Sequence, residues 1–222
     1  MVVDDRVVAE PGQTAPAARP RPNWLNRLWQ REWLVVGLLF AWAIFLLAFR
    51  LPDPGQYIYD EVYHAYTGNL MQQNDPKVYE WWESAPQEPI KGVQYEWTHP
   101  PLGKLIIGGS IKIFGNNSLG WRFSNMVFGV ISTLLLYVLA RTLFRDRVLA
   151  TLAMFIIPIE GLMFAESRIG TNDIAQLAFL LAAYSCFAVY FHRPARKAIG
   201  WLFLTGIFLG LGFATKWPSI YS

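Results

Sequence analysis

Five apolar runs, at residues 33–49, 124–140, 148–164, 174–191 and 199–214, alternate with connectors that are rich in arginine or in polar residues. Each run is about 17 residues long, close to what a helix needs to cross a hydrocarbon layer of roughly 30 Å. Inside such a layer the backbone must satisfy its own hydrogen bonds, and separate short runs do so as helices. The expected fold is therefore an all-α membrane protein, a multi-span helical bundle with about five transmembrane helices. Composition agrees, since hydrophobic residues make up 54% of the chain and charged residues only 16%, against roughly 25% charged in soluble domains.

The connectors set an orientation. Arg19, Arg21, Arg27 and Arg31 precede the first run, Arg141, Arg145 and Arg147 join the second to the third, and Arg193, Arg196 and Lys197 join the fourth to the fifth. Basic residues favour the cytoplasmic side, so these three groups are expected there. Residues 1–32 hold Pro, Ala and Arg with few large apolar side chains and are expected to form a disordered cytoplasmic tail. Residues 33–222 then form one membrane unit, with an outer loop at 50–118 and a second outward turn at 165–173. A formal charge of +3, scattered along the chain, argues against a nucleic-acid partner. The single cysteine, Cys186, excludes an internal disulfide and any cysteine metal motif.

The outer loop is too rich in chemistry for a connector. "YIYDEVYHAYTGNL", starting at Tyr57, and "YEWTHPPLGKLIIG", starting at Tyr95, bring Asp60, Glu61, His64, Glu96, His99 and Lys104 between two apolar runs. The first stretch has helical spacing with acids at its start, and residues 100–115 read as an interfacial helix rather than a span. Charged groups gathered at span ends are functional candidates. The candidates are Asp60 with Glu61, His99 with Lys104, Arg122, Arg168 with Asp173, and Lys216. Plainer roles are open for each: helix capping for Asp60, Glu61 and Asp173, an interface anchor for His99 and Arg168, and a snorkelling contact with headgroups for Arg122. Aromatic residues Tyr57, Tyr59, Tyr63, Tyr66, Trp81, Trp82, Tyr95 and Trp97 crowd the same loop and suit either interface anchoring or stacking on a sugar. Glu160, two residues after Pro158 in the third run, raises an ion-coupled transporter as an alternative, because broken helices with buried acids mark such proteins. A proline kink with Glu160 facing the outer cavity explains the same residues.

Five motifs in order, "YDEVYHA", "HPPLGKLIIG", "LGWRFSN", "AESRIGTND" and "GLGFATKW", resemble the landmarks of the dolichyl-phosphate-mannose protein O-mannosyltransferases. This is glycosyltransferase family 39, with the type C membrane fold. The resemblance runs from Trp33 to Trp217. Members of that family are longer, so the chain is expected to be an N-terminal part, whose activity alone is in question; a non-catalytic membrane fragment is the further alternative. The resemblance implies transfer of a sugar, mannose in the namesake enzymes, from a polyprenyl or dolichyl phosphate carrier to a hydroxyl of protein Ser/Thr or of a lipid, with inversion. It implies a bilayer-embedded enzyme, here expected in a bacterial plasma membrane with its active site on the extracytoplasmic face. Asp60 is the expected base and Glu61 its support, while Arg168, Arg122, Lys104, His99 and Lys216 are expected around the donor phosphate. Asp173 gives acidic support, and a divalent ion bridging Asp60, Asp173 and phosphate fits the preference of hard cations for oxygen.

Overall fold

A computed structural model describes residues 32–80 and 95–221. The expected tail, with Arg19, Arg21, Arg27 and Arg31, and the aromatic pair Trp81 and Trp82 lie outside the described residues. Among the described residues every regular element is helical. Helix α1 is Glu32–Ala48, α2 Glu61–Gln72, α3 Leu102–Phe114, α4 Ser118–Phe144, α5 Arg147–Ile156, α6 Gly161–Glu166, α7 Asp173–Phe191 and α8 Ala195–Thr215. Single 3-10 turns cover Pro76–Tyr79, Ile157–Ile159 and Trp217–Tyr221.

Three of these helices are long and apolar enough to cross a membrane: α4, α7 and residues 198–215 of α8. Helix α1 and the stretch Arg147–Ile159 are apolar but shorter. The run expected as one span at 148–164 is broken, for a local reason. Pro158 has no N–H to donate into the helical ladder, so α5 tightens into a 3-10 turn. Glu160 then turns extended at φ −69°, ψ 129°, and its carboxylate accepts from the N–H groups of Leu162 and Met163 to start α6. Capping accounts for Glu160, which is exposed rather than buried. The break therefore lends no weight to a transporter.

Helix α4 is the spine, packed against α1, α3, α5 and α7, with α8 on α7 and α2 on α3. It starts where the Asn117 carboxamide accepts from Leu119 N and Gly120 N, and Asp146 starts α5 in the same way. One core cluster, with Val36, Tyr137 and Met154, ties α1 to α4 and α5 at one end. A second, with Leu47, Met126 and Val130, ties α1 to α4 near the other. Apolar side chains such as Trp33, Leu38, Phe45, Ile199 and Phe203 point outward, which suits a lipid surround and would be costly in water.

The two ends differ in chemistry. At the first end, Glu32 accepts from Tyr137 Oη at 2.6 Å and pairs with Arg141 and Arg147, each at 3.1 Å, while Arg145 Nη2 lies 3.2 Å from His192 Nδ1. The connector after α4 and the one after α7 thus lie at the same end. At the opposite end α2 and α3 cross through glycine. A Cβ on Gly108 would lie 2.5 Å from Gly68 O, and one on Gly68 would lie 2.7 Å from Lys104 O. Backbone leaves no room to yield there. Gly108→Ala should therefore cost about 1–3 kcal/mol through overpacking, read as a lower melting temperature in detergent; unchanged melting would show that the crossing is looser than described.

Candidate functional site

The second end gathers the start of α2, the segment 95–101, the start of α3, the α6–α7 turn and the end of α8. Asp60 is the N-cap of α2, yet its carboxylate makes no capping hydrogen bond among the described residues. It lines a cavity of about 350 Å³ together with Tyr63, His64, Tyr95, Trp97 and His99. The residue before it, Tyr59, has φ +50°, a left-handed conformation that costs a non-glycine residue energy and recurs at functional sites.

Glu61 is spent differently. It is fully buried and accepts from Arg122 Nε at 2.6 Å, Arg122 Nη2 at 2.8 Å, Ile58 N at 2.9 Å and Gly170 N at 2.9 Å. Arg122 is equally buried, and its remaining N–H groups reach the carbonyls of Leu51, Pro54 and Gln56. With every guanidinium donor engaged, Arg122 ties the chain around residues 51–61 to α4 and has none left for a phosphate. Arg168 is only partly committed: it donates to the carbonyls of Leu46 and Leu47, at the C-terminus of α1, and to Arg50 O, with its guanidinium 5.0 Å from the Phe164 ring.

Lys104 is also buried. Its ammonium donates to Glu96 Oε2 at 2.5 Å, Glu96 O at 2.8 Å and His99 O at 2.7 Å. The other Glu96 oxygen accepts from Thr98 N, the Thr98 hydroxyl and His99 N, so the segment 96–99 wraps the carboxylate. Burial pushes the Glu96 carboxyl up, but the hydrogen bonds from Lys104 and Thr98 outweigh it and hold it below the ordinary carboxylate range. Burial pushes the Lys104 ammonium down against the same pairing. The two directions oppose each other across one contact; three oxygens around Nζ favour the ion pair. Glu96 is the organising residue that the sequence left out of the expected site. Its signal was an acid placed eight residues before a lysine across a proline-bent segment.

At the far side of His99, Lys216 Nζ donates to Asp173 Oδ1 at 2.5 Å, and both side chains keep partial exposure. Glu166 accepts from the Thr171 hydroxyl at 2.6 Å. Burial pushes its carboxyl up, with Asp173 and Asp60 adding to the rise while the Thr171 hydroxyl and Lys216 oppose it. Glu166, Asp173 and Gln176 are the polar residues lining a second cavity of about 290 Å³, whose other lining includes Leu162, Ile174, Leu177 and Pro218. The turn that carries them is held by Asn125, whose amide donates to Ile169 O and Thr171 O. Of the expected residues, the structure thus leaves Asp60, His99, Lys216, Asp173 and Arg168 with exposure at this end, and spends Glu61, Arg122 and Lys104 on buried contacts. Among the described residues no group of three or more His, Cys, Asp or Glu side chains is placed to hold a metal ion.

His64 supplies a pH test. Burial pushes its imidazole down to about 4, against the pull of Glu96 at 3.9 Å and Asp173 and with the push of Lys104 and His99. The unfolded chain binds this proton near 6.5, before the folded protein does, so stability is full above that pH and is lost as pH falls toward 4. Thermal melting should drop across that window, and His64→Gln should flatten the drop. Equal melting of the wild type at both ends of the window would contradict the assignment.

Residues 98–222 match the family described as dolichyl-phosphate-mannose-protein mannosyltransferase. A polyprenol-phosphate-mannose–protein mannosyltransferase of Mycolicibacterium smegmatis is 30% identical over 240 residues, 95% of this chain and 44% of the relative. The enzyme of the same name from Mycobacterium tuberculosis is 29% identical over 237 residues, 96% of this chain and 42% of the relative. An undecaprenyl phosphate-alpha-4-amino-4-deoxy-L-arabinose arabinosyl transferase of Pseudomonas aeruginosa is 29% identical over 186 residues, 79% of this chain and 32% of the relative. The chain spans less than half the length of these curated relatives.

Proposed function

Since the chain belongs to the dolichyl-phosphate-mannose-protein mannosyltransferase family, we propose that the complete protein moves mannose from a polyprenyl phosphate carrier to a hydroxyl of protein Ser or Thr, with Asp60 as general base. The observation that carries this reading is the Asp60 carboxylate: it stands at a helix start without serving as the cap and lines a cavity at the charged end of an apolar bundle. The acceptor hydroxyl attacks the anomeric carbon, its oxygen forms the new bond, and its proton passes to Asp60. The bond from the anomeric carbon to the carrier phosphate breaks, and the phosphate leaves with the electron pair as a stable anion. A leaving phosphate needs no acid to protonate it, unlike the alcohol released in glycoside hydrolysis, so a single base is enough.

Lys216 and His99 stand nearest to the phosphate's work. Both keep exposure and both belong to the group around Asp173. Arg168 can add a charge from the α6–α7 turn through donors not aimed at α1. The Glu61–Arg122 and Glu96–Lys104 pairs hold the start of α2 and the segment 95–99 in place, and so support Asp60 and His99 rather than touching substrate. The charge asymmetry of the two ends favours an extracytoplasmic site in a bacterial plasma membrane, with the basic connectors inside.

The test is transfer itself. Purified complete protein, given polyprenyl-phosphate mannose and a Ser/Thr peptide, should release sugar-free polyprenyl phosphate and mannosylated peptide in equal amounts. Mannose appearing on a lipid hydroxyl instead would correct the acceptor, and no release of sugar from the carrier would overturn the reading.

A further inference from the structure

The cavity beside Asp60 is built for something more specific than a hydroxyl. Tyr95 and Trp97 stack at 5.8 Å with an interplanar angle of 21°, and Tyr66 meets Tyr95 edge-on, also at 5.8 Å. The His64 and His99 rings lie 6.2 Å apart and 25° from parallel. His64 is 5% exposed, and among the described residues neither its Nδ1 nor that of His99 has a hydrogen-bond partner. His64 lies one helical turn after Asp60, and its N–H donates to Asp60 O at 3.0 Å. The segment that carries Trp97 and His99 is held rigidly: Trp97 Nε1 donates to Val78 O, Trp217 Nε1 donates to Thr98 O, and Glu96 and Lys104 clamp its middle.

These groups match one ligand chemistry. A sugar ring offers C–H faces that pack on aromatic rings and hydroxyls that both donate and accept. A neutral imidazole has one donor and one acceptor nitrogen, so it can serve either side of a hydroxyl. Burial lowers the proton affinity of both His64 and His99 and keeps them in that neutral form. Asp60 and His99 both line the cavity, and His99 is close enough to Lys216 and Asp173 to feel both charges.

We propose that this cavity is the subsite for the donor's pyranose ring, with His64 and His99 reading its hydroxyls and Tyr95 and Trp97 forming its platform. The assignment rests on the glycosyltransferase reading above and deepens it, making these residues determinants of which sugar is transferred. A peptide acceptor in the same cavity is the outcome the test must separate.

The test compares binding of two lipids to the complete protein in detergent, polyprenyl-phosphate mannose and sugar-free polyprenyl phosphate, alongside the acceptor-peptide KM. His64→Phe keeps a ring and removes both nitrogens. It should weaken binding of the mannose-loaded carrier about tenfold, the loss expected for one or two hydrogen bonds, with binding of the sugar-free carrier and peptide KM unchanged. His64→Gln, which keeps a donor and an acceptor, should recover most of the loss, and His99→Phe, which also takes a donor from beside the phosphate, should weaken the mannose-loaded carrier more than the sugar-free one. An equal loss for both lipids, a raised peptide KM with donor binding intact, or no change in any of the three would overturn the subsite. A wild-type protein that binds neither lipid would instead defeat the glycosyltransferase reading.

Discussion

Asp60→Asn in the complete protein should lower turnover by about 10²- to 10⁴-fold, the range of general-base contributions, while the protein stays inserted and still binds its carrier. Asparagine keeps the size and can hydrogen-bond, but its amide cannot take the acceptor proton as a carboxylate does. A capping role would predict almost no change, since asparagine caps a helix about as well as aspartate, and the Asp60 side chain makes no capping bond among the described residues. The two explanations therefore differ by orders of magnitude in turnover, with melting little changed under either. The measurement is kcat beside the melting temperature. Near-normal kcat in a correctly inserted variant would remove Asp60 from the chemistry.

Arg122→Ala should unfold or strongly destabilise the protein, by about 3–5 kcal/mol, the cost of leaving a buried charge without its partner. The contacts are specific: removal strands the Glu61 carboxylate and the carbonyls of Leu51, Pro54 and Gln56 together. Arg122→Lys should recover only part, because one ammonium cannot reproduce a planar fork that spans a carboxylate and three carbonyls. Exchanging both partners, Glu61→Gln with Arg122→Met, should be less harmful than Arg122→Ala alone, since no unpaired charge then remains buried. Thermal melting in detergent reads all three. A phosphate ligand would behave otherwise: Arg122→Ala would melt like the wild type and lose carrier binding, and that result would return Arg122 to the substrate.

Much of the architecture could be read along the chain. Helices at 118–144, 173–191 and 195–215 follow from apolar runs because helix formation and hydropathy act within a few turns. The helix beginning at Glu61 and the one beginning at Leu102 follow from acids at a start and from Pro100 and Pro101 before one. Pro158 marked a kink in the third run, which the structure turns into a full break with a new helix start at Glu160. The length of α1 and of Arg147–Ile159, short of the other three, is a matter of degree that hydropathy blurs.

The sequence by itself determined an all-helical apolar chain, the end where its basic connectors meet, and the stretch where acids, histidines and aromatics collect, since each depends on neighbours within a turn or a loop. Only the tertiary structure decided which of those charges are available. Glu61 meets Arg122 across 61 positions of chain, Arg168 meets Leu47 across 121, and Lys216 meets Asp173 across 43. An arginine in a motif looks the same whether it faces a phosphate or three carbonyls. What separates the two cases is desolvation: a buried charge must find its full complement of partners inside the protein. Those partners come from whichever distant segments the packing of α2, α3, α4 and α7 brings to it.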